Sequence, residues 1–176
     1  MTKRPAVLIS IGILAVIICL QLNLAYGESY EENIKIRKLA IKSALVQSAE
    51  RLLLQEIELI KTIDKARYMG LETELPPLEP ELMADVVYLL DWALRIDPND
   101  VKANFLLGKI YYLQHDLGEG FADRKIVNLG VKHLARAVRL SSQGKQGLKD
   151  SEKIEGEKML DALKKIPEGA FGKSGE

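Results

Sequence analysis

The chain has 176 residues, of which 47% are hydrophobic and only 6% aromatic, and its 25 basic residues balance its 25 acidic residues. This composition is typical of a folded protein, and it excludes both a disordered tail and a basic protein that binds nucleic acid. The length suffices for one domain with its own core, but it is too short for a two-domain enzyme with a separate cofactor module.

The first 27 residues have the pattern of an export signal. Lys3 and Arg4 precede an apolar run over residues 6–20, and small residues follow at positions 25 and 27. A basic start, an apolar centre and small residues before a cleavage site are the three parts of a signal peptide.

Two interpretations of this segment remain open. Residues 1–27 are a signal peptide that is cleaved before Glu28, or residues 6–24 remain as a membrane anchor, since about 20 apolar residues span a bilayer. Both interpretations predict that residues 28–176 are exported to the periplasm or another extracytoplasmic compartment.

Residues 28–70 are predicted to form one long amphipathic helix, because residues 29–69 contain no Pro or Gly and their apolar side chains recur at helical spacing. Two neighbouring series with a seven-residue repeat carry the pattern: Leu39, Val46, Leu53 and Ile60, and beside them Leu45, Leu52, Leu59 and Ala66. Two adjacent series make a broad apolar face, which favours packing on other helices over a narrow two-stranded coiled coil.

The rest of the chain is predicted to contain four shorter helices. A Pro-rich connector at residues 71–80 comes first, and the helices follow at about residues 81–96, 101–114, 122–140 and 151–166. The last helix carries the apolar residues Ile154, Leu160, Leu163 and Ile166. Residues 143–166 form a loop and a capping helix, and residues 167–176 a flexible tail. No segment alternates like a strand, so the predicted fold class is all-α.

Residues 80–142 resemble the tetratricopeptide repeat (TPR) family. The residues that carry the resemblance are Ala93, Pro98, Leu107, Gly108 and Tyr111, with Ala137 at the end of the following helix. Ala93 and Ala137 are 44 residues apart against the usual period of 34, and the excess falls in the turn at residues 115–124. The resemblance implies antiparallel helical hairpins at residues 81–142 that form a fragment of a right-handed α-solenoid, flanked by a long N-terminal and a short C-terminal helix.

The resemblance also implies a partner-binding surface, because the first helix of each repeat in the family lines a concave groove. On the helix at residues 101–114, Lys102, Phe105, Lys109 and Tyr112 share one side, where solvated ammonium groups beside aromatic rings could hold an acidic partner. The alternative is an ordinary solvent-facing side of the helix, with Phe105 buried beneath a neighbour.

The sequence contains no recognisable catalytic motif. With one Cys and two His it offers too few ligands for a metal site, and no cofactor is expected. Trp92 is interpreted as an interhelical packing residue.

We therefore expect a non-enzymatic, exported or membrane-anchored scaffold or adaptor that binds an unidentified protein partner, for example as an assembly factor of an envelope complex, and that binds no nucleic acid. The alternative is an accessory structural subunit that packs through its long helix within a membrane complex or a homo-oligomer.

Overall fold

The computed structural model describes residues 30–69, 83–116, 123–167 and 170–171. They form five helices: α1 (Tyr30–Tyr68), α2 (Ala84–Ile96), α3 (Val101–Asp116), α4 (Arg124–Ser142) and α5 (Asp150–Lys164). The predicted all-α fold class is confirmed, and each observed helix overlaps its predicted range. Residues 1–29, the connector at residues 71–80 and residues 172–176 lie outside the described residues, as do residues 117–122 of the turn at residues 115–124. None of the described helices has a stretch long and apolar enough to cross a membrane.

Each helix packs on its neighbour in the chain. The most extensive contacts join α3 to α4, α1 to α2 and α4 to α5, while α2 and α3 meet over a smaller area. α3 also contacts both α1 and α5. α3 therefore lies at the centre of the bundle, and residues along its length can meet side chains from every other described helix.

α1 contributes one apolar seam to the core, formed by Val46, Ala49, Leu53, Ile60 and Ile63. Three members of the first predicted series are thus buried, but Leu39 is 48% exposed, and in the second series Leu59 is also exposed. The reason is length: at 1.5 Å per residue, the 39 residues of α1 span about 58 Å, whereas the 13 residues of α2 span about 20 Å. A helix as short as α2 covers only part of the apolar face of α1.

The α3–α4 contact depends on small residues. Gly108 packs so closely on Leu134 that a Cβ atom built at position 108 would lie 2.5 Å from Leu134 Cγ. The other residues that carry the repeat resemblance lie as follows: Ala93, Leu107 and Ala137 are fully buried, Tyr111 is partly buried, and Pro98 is exposed in the turn between α2 and α3.

α5 closes the bundle with Met159, Leu160 and Leu163, all buried. Ile154 is apolar but does not belong to the core, since its side chain is 53% exposed. The inward side of α5 at this level is formed by Gly156, which lies against Phe105 and Val138. Two residues along a helix correspond to a rotation of about 200°, so Ile154 points away from that contact.

Candidate functional site

The predicted binding side of α3 lies between α1 and α5. Lys102 forms ion pairs with both of these helices: its Nζ atom is 2.6 Å from Glu50 Oε1 on α1 and 2.5 Å from Glu152 Oε1 on α5. Its side chain is only 16% exposed. Lys102 therefore joins three helices that are distant in sequence.

The charges of this cluster influence one another. Burial by itself lowers the pKa of Lys102, but hydrogen bonds to Glu152 and Glu50 outweigh it, so the pKa of Lys102 rises above its ordinary value. For Glu152, burial by itself raises the pKa, but the hydrogen bonds donated by the Lys102 side chain and the Lys149 backbone outweigh it and lower the pKa. Lys102 and Glu152 are thus both held in their charged forms.

Lys109 lies two helical turns further along α3. Its Nζ atom is 2.6 Å from Glu155 Oε1 of α5. Between the two lysines, Phe105 is buried, and both ammonium groups lie about 6 Å from the centre of its ring. Tyr112 is partly buried against the core.

The structure thus brings the four predicted residues to one region, but not to an open surface. The expectation that the two lysines are solvated is wrong, because carboxylates of α1 and α5 pair with them. Phe105 belongs to the core, as the packing alternative predicts. The sequence gives no direct signal for these pairs, because Glu50 and Glu152 lie about 50 residues from Lys102 on either side.

A second ion-pair cluster lies at the turn between α2 and α3. Lys42 Nζ is 3.2 Å from Asp97 Oδ2 and 2.8 Å from Asp100 Oδ2. Asp100 also accepts a hydrogen bond from the backbone N–H of Ala103, so its side chain caps α3. Burial alone lowers the pKa of Lys42, but hydrogen bonds to both carboxylates raise it overall.

An open cavity of about 450 Å³ separates these two clusters. Its walls come from α1, from the first turn of α3 and from the α4–α5 loop, where Gly147 packs against Val101. The residues that line it include Leu39, Lys42, Val46, Gln47, Asp100 and Lys102. The cavity combines an apolar wall with fixed charges, which is the make-up of a site for a peptide segment or a side chain.

A buried polar network centred on Asn104 holds the backbone of Asp100, which lines the cavity. Asn104 is almost completely buried, and its amide group donates to the carbonyl oxygens of Pro98 and Asp100. Its Oδ1 atom is therefore the acceptor in the 3.0 Å contact with His133 Nδ1, which places the proton on that nitrogen. Asn104 thus fastens the α2–α3 turn to α4.

An exposed aromatic cluster on α2 is absent from the sequence-based prediction. Trp92 is 44% exposed, which corrects its interpretation as a packing residue. It makes an edge-to-face contact with Tyr88, and the guanidinium group of Arg95 lies 5.1 Å from the centre of the Trp92 ring. The spacing of four and three residues is the available sequence signal, since it places all three on one helix face.

Within the described residues, no group of three or more His, Cys, Asp or Glu side chains is arranged to hold a metal ion. Comparisons of the chain with protein-family models, with curated proteins and with solved structures gave no match.

Proposed function

We propose that this chain is an exported or membrane-anchored helical scaffold, with TPR-like hairpins, that binds a segment of another protein in the cavity between α1 and α3. The observation that carries the proposal is the cavity itself. It is open to solvent and offers an apolar wall, with Leu39 at 48% exposure, between two fixed ion-pair clusters. Small residues at the α3–α4 contact and the pairwise packing of successive helices support the TPR-like arrangement.

The geometry changes the chemistry expected of the partner. Because the ammonium groups of Lys42 and Lys102 each pair with two carboxylates, an incoming carboxylate would have to displace one that is already in place. Apolar contact with Leu39 and Val46 and hydrogen bonds to exposed side chains such as Gln47 require no such displacement. We therefore assign the lysines to shaping the cavity rather than to direct capture of an acidic ligand.

Site-specific crosslinking in cells tests this proposal. A photoreactive amino acid at Gln47, an exposed residue of the cavity wall, should give a crosslinked product of defined mass. The same amino acid at Gln55, which is exposed on α1 outside the cavity, is the matched control. Equal crosslinking at both positions, or none at position 47, would contradict binding in the cavity.

The alternative is an accessory structural subunit that packs through α1, and one observation favours it. α1 extends well beyond α2, and Leu54 and Leu59 are exposed along it at 60% and 43%. Crosslinks from positions 54 and 59 to a second copy or another subunit, without a crosslink from position 47, would support this function instead. Sedimentation of the purified chain would then show an oligomer that Leu54→Glu and Leu59→Glu dissociate.

A further inference from the structure

The charges of α4 are distributed differently from those of the other described helices. α4 contains five basic residues and no Asp or Glu, whereas each of the other four contains acidic residues. The chain as a whole has 25 basic and 25 acidic residues, so this helix does not reflect a generally basic composition. Positive charge is concentrated on one element of a neutral molecule.

Four of these residues form a basic stripe, which we define as Lys125, Lys132, Arg136 and Arg139. Their positions i, i+7, i+11 and i+14 place them on one side of the helix, along about 21 Å of its length. This side is opposite the buried residues of α4, and Lys125, Lys132 and Arg139 are exposed. The stripe therefore faces solvent while the apolar side of the same helix packs in the core.

The stripe is not neutralised within the described part of the chain. Lys125, Lys132 and Arg139 make no side-chain ion pair or hydrogen bond there, and Arg136 donates one hydrogen bond, to the uncharged Asn99 side chain. This differs from Lys42, Lys102 and Lys109, which all pair with carboxylates. The lysines that the sequence suggested as ligand-binding are already paired, whereas those of α4 are not.

His133, next to Lys132 on α4, responds to the potential of the stripe. Burial is the largest cause that lowers its pKa, and the positive charges of Lys132 and Arg136 lower it further, while Asp91 of α2 opposes them. The Tyr111 ring of α3 stacks on the imidazole, and Asn104 of the same helix holds its Nδ1 atom. The pKa of the imidazole should therefore change when a charged ligand binds beside it.

We propose that the basic stripe is a second interaction surface, which binds an acidic helical segment of another protein lying along α4. Charge complementarity indicates the chemistry of the partner. A helix with carboxylates at the same spacing of seven, four and three residues would contact all four cations at once. The apolar side of α4 is buried in the core, so the stripe has no apolar side chains to insert into a lipid layer. A broad, flat anionic surface beside the stripe would also approach Asp91 of α2, an exposed carboxylate that lies near enough to influence the pKa of His133. This surface differs from the cavity between α1 and α3, and the proposal does not depend on that cavity.

The test uses a synthetic helical peptide that carries Glu at positions i, i+7, i+11 and i+14 in an otherwise uncharged sequence, and a control peptide with Gln at those positions. The purified chain should bind the Glu peptide but not the Gln peptide, and binding should weaken as salt is added. Lys125→Gln, Lys132→Gln and Arg139→Gln together should weaken binding about tenfold or more, if each lost pair contributes as exposed ion pairs usually do. Lys65→Gln, Lys158→Gln and Lys164→Gln together remove three exposed charges elsewhere and should leave it unchanged.

Proton NMR of the two histidines locates the site. Bound carboxylates offset the charges of Lys132 and Arg136, so the Glu peptide should raise the pKa of His133, while the signals of His115 distinguish a local effect from a general one. Unchanged His133 titration with bound peptide, or equal loss of binding in both triple variants, would overturn the proposal. Tighter binding to phosphatidylglycerol vesicles or duplex DNA than to the Glu peptide would also overturn it. None of these outcomes affects crosslinking at position 47, so the two proposals succeed or fail separately.

Discussion

The close approach of α3 and α4 at Gly108 makes this residue an informative position for a test of the fold. A methyl group there would lie 2.5 Å from Leu134 Cγ, 2.8 Å from Leu134 Cδ2 and 3.0 Å from the Leu134 backbone nitrogen. Carbon atoms in favourable contact are about 3.5–4.0 Å apart. A new rotamer of Leu134 can relieve the first two overlaps but not the third, because the backbone nitrogen moves only if α4 moves.

Two opposing effects determine the result for Gly108→Ala. Alanine is favoured over glycine in a helix interior by up to about 1 kcal/mol, whereas overpacking a well-filled contact costs about 1–3 kcal/mol. With overlaps as large as these, the steric cost should exceed the gain in helix propensity, and we expect a net loss of about 1–2 kcal/mol in the free energy of unfolding. Gly108→Leu should be more destabilising still.

The protein contains its own matched control. Gly156 is also inside a helix, but a Cβ atom there would lie 3.4 Å or more from the Phe105 ring and 3.7 Å from Val138. These are ordinary contacts, so Gly156→Ala should be neutral or stabilise the protein by up to about 1 kcal/mol. Gly130→Ala should fall between the two, because its shortest contact, 2.6 Å, is to the flexible end of Leu163.

Urea unfolding followed by circular dichroism measures the difference. With a slope of about 2 kcal/mol per molar urea, a loss of about 2 kcal/mol lowers the midpoint by about 1 M. Gly156→Ala should be the most stable of the three variants, Gly130→Ala intermediate and Gly108→Ala the least stable. If Gly108→Ala is as stable as Gly156→Ala, α3 and α4 do not approach as closely as described, and the small-residue argument fails.

Three further predictions concern the charged and polar clusters. Lys102→Met should lower the free energy of unfolding by about 1–2 kcal/mol, between the values for exposed and for buried ion pairs. Lys109→Met should lower it less, since its partner Glu155 is 42% exposed against 17% for Glu152. Equal urea midpoints of the two variants would contradict this. Asp100→Ala should lower the free energy of unfolding by about 1–2 kcal/mol, because it removes both the α3 cap and a partner of Lys42. Asp85→Ala is the control, since it removes the same charge from an exposed position in the first turn of α2. The pKa of His133 is lowered in the folded chain, so the unfolded chain binds more protons and stability should decrease as the pH falls from about 6.5 toward the folded pKa. His133→Asn, which keeps a donor near Asn104, should remove this part of the pH dependence. An unchanged profile of urea midpoint against pH would refute the assignment.

The sequence alone determined where helices form and which broad class of fold they build. Seven-residue spacing in α1, the proline at position 98 and the capping aspartate at position 100 are local signals, since each acts within a few residues of the chain. Ala93, Leu107 and Ala137, three of the residues that carry the repeat resemblance, are buried, and the resemblance places small or apolar residues where helices meet. Local patterns fix which side of a helix is apolar before its neighbour is known.

Only the tertiary structure decided which polar residues are free to bind. Lys102 and Lys132 look alike in the sequence, as basic residues on amphipathic helices, yet Lys102 pairs with two carboxylates and Lys132 makes no ion pair within the described chain. Likewise, Phe105 is buried and Trp92 exposed, although both are aromatic residues within helices. The partners of Lys102 lie about 50 residues away on either side, and α5 rather than any residue of α3 determines that Phe105 is covered. Such contacts depend on how the helices are placed in space, and the local spacing of residues carries no record of that placement.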